Sequence, residues 1–123
     1  MRVIISAAGT GGHINPGIAI ANKIKEKDPK SEILFIGTNR GLENDLVPRA
    51  GYKLKTIDVY GLKKEFSLTN LKHIIQTIAS RKDVKKIFDE FKPDLVLGTG
   101  GYICGPVFSV ALKRGIPTMW ITG

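Results

Sequence analysis

Two glycine-rich runs, Gly9-Thr10-Gly11-Gly12-His13 and Gly98-Thr99-Gly100-Gly101-Tyr102, each follow a short apolar, β-branched stretch and precede a segment with helical spacing. A buried strand that ends on glycine and turns at once into a helix is the repeating joint of a parallel α/β sheet. The rest of the chain keeps that rhythm. Arg2–Ala7 reads as a strand buried on both faces. Pro16–Lys27 reads as a helix, with Asn15 as its N-cap and Pro16 at the first position. Glu32–Gly37 follows as a strand, Leu42–Ala50 as a short helix closed by Gly51, and Leu54–Val59 as a third strand. Ser67–Phe91 carries helical periodicity with a break near Ser80. Asp94–Gly98, Gly105–Arg114 and Ile116–Ile121 then predict strand, helix and strand. No linker, repeat or low-complexity stretch interrupts the series, so residues 1–123 read as one domain. The expected class is α/β, a Rossmann-like doubly wound parallel sheet with right-handed crossovers.

Ligands of such sheets bind at the carboxyl edge, where the strand order reverses. Both glycine runs would stand on that edge, on the first and fourth strands, which are neighbours in the usual order. Glycine lets backbone approach a ligand closely, and the free amides of a helix start favour an anion. Two such runs facing one crevice could together hold a diphosphate; either one alone could equally serve tight packing of strand on helix. Three related motifs are excluded. A dinucleotide fingerprint would place a small residue where Ile14 stands and an acidic one near Gly37-Thr38. No G-x-x-x-x-G-K-[ST] occurs, and neither CxxC nor HExxH is present, so neither a P-loop nor a structural metal has a motif.

His13 closes the first run at the expected mouth of the crevice. Imidazole exchanges protons near neutral pH, so His13 is either a base for a sugar hydroxyl or a residue that merely hydrogen-bonds the loop. Tyr102 either stacks on a sugar or packs locally. His73 reads as a surface residue. Cys104 precedes a helix start, which can lower a thiol pKa, but nothing else supports a nucleophile and a packing role is the better reading. As the one cysteine in the chain it has no internal disulfide partner, which suits a reducing cytoplasm. No apolar stretch approaches the ~20 residues of a membrane span, and the amino terminus enters a strand without a signal-peptide pattern.

The net charge is +8, from 19 Lys and Arg against 11 Asp and Glu. Such an excess favours anionic partners: nucleic acid, acidic lipid or phosphorylated substrates. Between Lys63 and Lys92 the basic residues outnumber the acidic ones, which is either a solvated helix face or a docking surface. Nucleic-acid binding would explain the charge but leaves the glycine runs without a role.

At these residues the sequence resembles the MurG-type glycosyltransferases of peptidoglycan synthesis. The matching stretches are Gly9-Thr10-Gly11-Gly12-His13 with Pro16-Gly17, Leu34-Phe35-Ile36-Gly37-Thr38, Glu43-Asn44-Asp45-Leu46-Val47-Pro48 and Gly61-Leu62. Lys92 through Tyr102, Gly105-Pro106 and Gly115-Ile116-Pro117 complete them, in order and over almost the whole chain. The resemblance implies the acceptor-binding N-terminal half of a metal-independent, inverting GT-B enzyme. That enzyme would transfer N-acetylglucosamine from UDP-N-acetylglucosamine to lipid I, forming lipid II. It implies Thr10, Gly11, Gly12, Asn15, Gly100, Gly101 and Tyr102 around the acceptor diphosphate and sugar, and His13 as the base on the attacking hydroxyl. It also implies docking on the anionic inner face of the cell membrane through Leu71, Lys72, Ile75, Ile78, Arg81 and Lys82, as basic side chains around apolar ones suit an interfacial helix. UDP-N-acetylglucosamine is then a co-substrate held by a C-terminal domain; no cofactor, metal or nucleic acid is expected. One departure stands out. The family continues into His-Glu-Gln-Asn after its Gly-Ile-Pro strand, whereas here Ile121-Thr122-Gly123 stand and no donor-domain pattern follows. The expectation is a domain inactive alone, or a membrane-recruiting subunit whose donor site lies on a separate chain.

Overall fold

The computed structural model describes residues 1–39, 41–57, 81–100 and 103–121. Strands β1 (Arg2–Ala7), β2 (Glu32–Gly37), β3 (Lys53–Thr56), β4 (Leu95–Gly100) and β5 (Thr118–Trp120) form one sheet. Their order is β3-β2-β1-β4-β5 and every neighbouring pair is parallel. The described helices are α1 (Gly11–Lys27), α2 (Glu43–Arg49), α3 (residues 81–91) and α4 (Cys104–Lys113). The chain starts in the middle of the sheet, runs outward through β2 and β3, and then returns to the other side of β1. The strand order therefore reverses between β1 and β4, as the doubly wound reading requires.

The continuous apolar run of β1 has a direct cause. Val3 and Ile5 lie beside Ile33 and Phe35 of β2 and Leu95 and Leu97 of β4, in the layer that α1 and α2 cover with Ile14, Ala21 and Val47. Ile4 lies beside Leu34 and Val96, in the opposite layer, under Val84 and Phe88 of α3 and Val107 and Val110 of α4. Successive side chains enter different cores, so an alternating polar pattern would put a polar group in one of them. Val3, Ile4, Ile5 and Phe35 are all fully buried. Each contributes about 1.5–3 kcal/mol of transfer free energy.

Helix α1 departs from the expected boundary. It starts at Gly11 with Thr10 as N-cap, in extended conformation (φ −107°, ψ 161°), and Pro16 lies inside it. Asn15 is thus an exposed residue, the fifth of the helix, and not the cap. Proline there removes only the amide that would reach back to Gly12, whose carbonyl is at the exposed end of the helix. Two glycines in a first turn disfavour helix by about 1 kcal/mol each. Burial of Ile14, Gly17 and Ala21 on the sheet offsets that cost. The expected ends of the other elements are closer. β4 runs two residues further, to Gly100, while β3 and β5 are shorter than predicted. Val59 and the segment 67–80, with its expected break, lie outside the described residues.

Candidate functional site at the carboxyl edge of β1 and β4

The ends of β1 and β4 are side by side. The pairing register shifts there, with Ser6 opposite Gly98 and Ala7 opposite Gly100, so Thr99 is the extra residue of a β-bulge. The Ala8 amide donates to the Gly100 carbonyl at 3.2 Å, one residue past the ladder. What the sequence suggested as a free loop from Gly98 onward is therefore strand as far as Gly100. Its first three residues are part of the sheet.

The bulge joins the second glycine run to the first. Thr99, 8% exposed, donates its hydroxyl to the His13 carbonyl at 2.6 Å. Gly100 has φ +137°, a conformation that side chains disfavour, and a Cβ there would stand 2.7 Å from Cγ and 2.9 Å from Nε2 of the His13 imidazole. The ring of His13 thus packs closely against Gly100 at the end of β4. Its Nδ1 is 3.0 Å from the Ala8 carbonyl oxygen. A carbonyl only accepts, so this bond puts the proton on Nδ1 and leaves Nε2 with the lone pair when the ring is neutral. Half-buried, with its tautomer fixed from behind, His13 can accept a proton at Nε2.

The first turn of α1 begins beside that ring. Thr10 accepts from the amides of His13 (3.0 Å) and Ile14 (3.1 Å) through its carbonyl. Its own side chain makes no capping bond. The amides of Gly11 and Gly12 precede the first intrahelical bond, and Gly12 is exposed. Together with the helix dipole they form a donor set suited to a phosphate oxygen. Gly17 seats the helix closely, its Cα so near the sheet that a Cβ would be 3.2 Å from Ile5 and 3.4 Å from the Thr99 hydroxyl. Of the residues expected at the site, Thr10, Gly11, Gly12, His13 and Gly100 converge on this rim. Asn15 is exposed in the second turn of α1. Gly101 and Tyr102 lie outside the described residues.

Three participants were not singled out from the sequence. The Ala8 carbonyl and the Thr99 hydroxyl orient His13, and Glu43 holds the first glycine loop from the neighbouring one. The Glu43 carboxylate accepts from the Gly9 amide at 3.3 Å and from the Thr38 amide at 3.0 Å. Side-chain identity alone signals none of this, because an acidic residue in a helix first turn usually faces water. Cys104 is 1% exposed, with Sγ 3.6 Å from the Ser6 carbonyl oxygen. Burial pushes its thiol pKa up, contrary to activation by a helix start. The packing reading therefore holds.

Among the described residues no group of three or more His, Cys, Asp or Glu could hold a metal ion, and no helix is long and apolar enough to cross a membrane. Of the expected docking residues only Arg81 and Lys82 are described, both in α3; Leu71, Lys72, Ile75 and Ile78 lie outside. Exposed Lys82, Lys85 and Lys86 alternate on α3 with exposed Asp83, Asp89 and Glu90, so this part of the helix is mixed in charge. Arg114 pairs with Asp89 at 2.8 Å.

Residues 3–120 match the glycosyltransferase family 28 N-terminal domain. Over 119 residues the chain is 56% identical to the UDP-N-acetylglucosamine–N-acetylmuramyl-(pentapeptide) pyrophosphoryl-undecaprenol N-acetylglucosamine transferase of Alkaliphilus oremlandii, covering 97% of this chain and 32% of that protein. The enzyme of the same name from a Thermoanaerobacter species is 51% identical, with 33% of its length covered. Among solved structures, MurG of Acinetobacter baumannii superposes with a TM-score of 0.83 at 27% identity, over 98% of this chain and 35% of that one. The kitacinnamycin glycosyltransferase, at 14% identity and a TM-score of 0.71, shares the fold. The chain spans about a third of the length of the curated relatives it matches.

Proposed function

The chain belongs to glycosyltransferase family 28 through its N-terminal domain, and from that premise we propose that it is the acceptor-binding half of an N-acetylglucosamine transferase of peptidoglycan synthesis. The acceptor named for the relatives is an N-acetylmuramyl-pentapeptide joined by a pyrophosphoryl group to undecaprenol. The rim at the ends of β1 and β4 offers what such a molecule needs. The amides of Gly11 and Gly12, at the positive end of α1, receive the pyrophosphoryl oxygens, with Thr10, Asn15, Gly101 and Tyr102 beside them. His13 Nε2 then takes the proton of the attacking sugar hydroxyl as its oxygen bonds to the anomeric carbon of the donor and UDP departs. The donor site, for UDP-N-acetylglucosamine, is assigned to the two-thirds of the relatives that this chain does not match, so the domain by itself does not transfer.

The observation that carries this reading is the His13 ring, held between two glycine segments with its Nδ1 proton committed to Ala8. Such a held tautomer is the requirement for a general base. The second element of the proposal is docking of the Leu71–Lys82 segment on anionic membrane at the cytoplasmic face, where a lipid-linked acceptor would be met.

The test has two arms. The isolated chain should bind a water-soluble, short-prenyl N-acetylmuramyl diphosphate and not UDP-N-acetylglucosamine; stoichiometric binding of the UDP-sugar alone, seen by calorimetry, contradicts the assignment. In a chimera joined to the donor-binding half of a relative, His13→Ala should lower turnover by roughly 10²–10⁴-fold with the fold intact. Unchanged turnover removes His13 from the mechanism.

A further inference from the structure

Glu43 is an ionisable side chain with no exposed surface, yet it makes no ion pair among the described residues. Its partners among the described residues are neutral: the Gly9 amide at 3.3 Å on Oε1, and the Thr38 amide (3.0 Å) and hydroxyl (3.3 Å) on Oε2. Burying a carboxylate carries a large desolvation cost, and a residue that only closed the β2–α2 turn would incur it without need. The geometry shows what the side chain reaches. One oxygen stays with its own loop while the other crosses to a loop 34 positions away in sequence. The route is kept clear by Gly41, where a Cβ would stand 2.8 Å from the Glu43 carboxyl carbon and 2.8 Å from the Gly9 nitrogen. A Cβ on Gly37 would meet Glu43 Cγ at 2.6 Å.

The Gly9 peptide groups are engaged from both sides by consecutive residues. Its N–H goes to Glu43, and its carbonyl accepts from the Leu42 amide at 3.1 Å. That fixes Gly9 at φ +96°, from which Thr10 enters the extended N-cap conformation and α1 begins. We propose that Glu43 is a positioning residue of the acceptor site: its carboxylate takes the Gly9 amide out of ligand binding and sets the loop so that the amides of Gly11 and Gly12 meet the diphosphate. This rests on the acceptor reading above. A carboxylate suits this role because each of its two oxygens accepts from a different loop. Glutamine in the same space has one accepting oxygen and turns its NH2 toward one of the two amides.

The experiment uses the ¹⁵N-labelled chain and the short-prenyl N-acetylmuramyl diphosphate as probe. In the unaltered chain the Gly9 amide should exchange slowly with solvent and stay in place on titration, while the Gly11 and Gly12 resonances move. Glu43→Gln, at a temperature where circular dichroism shows it folded, should shift the free-state Gly9–Gly12 resonances and raise the probe Kd at least about 10-fold. A residue that only stabilised the fold would lower the melting temperature and leave the Kd of the folded chain alone. A folded Glu43→Gln with Kd within twofold overturns the proposal and leaves the acceptor reading standing. Absence of probe binding by the unaltered chain overturns both. If Glu43→Gln does not fold, the unaltered chain decides: a Gly9 amide that exchanges freely, or moves with Gly11 and Gly12, overturns the assignment.

Discussion

Gly100→Ala isolates the proposed contact between the second glycine segment and the base. Two effects follow from the backbone and can be separated. The residue sits at φ +137°, so any side chain strains the main chain by about 1–3 kcal/mol. The new methyl would also stand 2.7 Å from His13 Cγ and 2.9 Å from Nε2, whereas ordinary contact begins near 3.4 Å. Cδ2 would lie nearer the methyl than Cγ does, so the ring must retreat by about 1 Å, which breaks its 3.0 Å bond to the Ala8 carbonyl and frees the tautomer. Displacements of about 1 Å cost on the order of 10²-fold in rate. Turnover in the chimera should therefore fall by roughly 30–100-fold, or about 2–3 kcal/mol of barrier. Gly51→Ala is the matched control. Gly51 has φ +90° with nothing within 4 Å of a Cβ, so it should lose comparable stability in urea unfolding of the chain and leave turnover unchanged. In a His13→Ala background, Gly100→Ala should cost no further activity. Equal activities for the two glycine variants, at equal losses of stability, would refute the claim that the β4 end aims His13.

Two further outcomes follow from burial and charge. The Cys104 thiol, 1% exposed and pushed up in pKa by burial, should alkylate at pH 8 at least about 100-fold more slowly in the native chain than in urea. Because the unfolded thiol ionises first, native stability should fall as pH rises past the ordinary cysteine value, and equal alkylation rates would contradict the packing. Partition onto anionic phospholipid vesicles should weaken at least about 10-fold between roughly 0.05 and 0.5 M salt as the Debye length shortens. A salt-independent partition would remove electrostatic docking from the proposal.

The strands were legible because burial on both faces leaves one solution for a run such as Val3-Ile4-Ile5, and β1 and β2 coincide with their predicted limits. The placement of both glycine runs on one edge followed from alternation alone. What the sequence hid depends on tertiary contact. Propensity puts a helix start at Asn15-Pro16, since Gly11 and Gly12 are poor helix formers, and only the sheet beneath Ile14 and Gly17 offsets that. The bulge at Thr99 exists in the pairing of β1 with β4 and has no local signature. Glu43 reads as an ordinary first-turn acid until the β1–α1 loop is folded over it. His13 was identifiable by type and place, but the Ala8 carbonyl that fixes its tautomer is a backbone group, which no residue code marks.

Under the proposed reading, reliance on backbone groups also explains the composition of the rim. None of the 19 basic residues falls within residues 8–13 or 98–100, although the chain carries a net charge of +8. A lysine would attract a diphosphate as a point charge on a flexible stem, tolerant of many orientations. Amides at a helix start are fixed in direction, so a phosphate oxygen bound by Gly11 and Gly12 also fixes the sugar it carries relative to His13 Nε2. Attraction and aim are then served by different parts of the molecule. In the proposed acceptor reading, the net positive charge acts at a distance on anionic partners, while neutral backbone dipoles determine which hydroxyl faces the base. The Gly9–Glu43 bond serves aim, because a loop whose donors are main-chain groups is only as well directed as the contact that holds its backbone still.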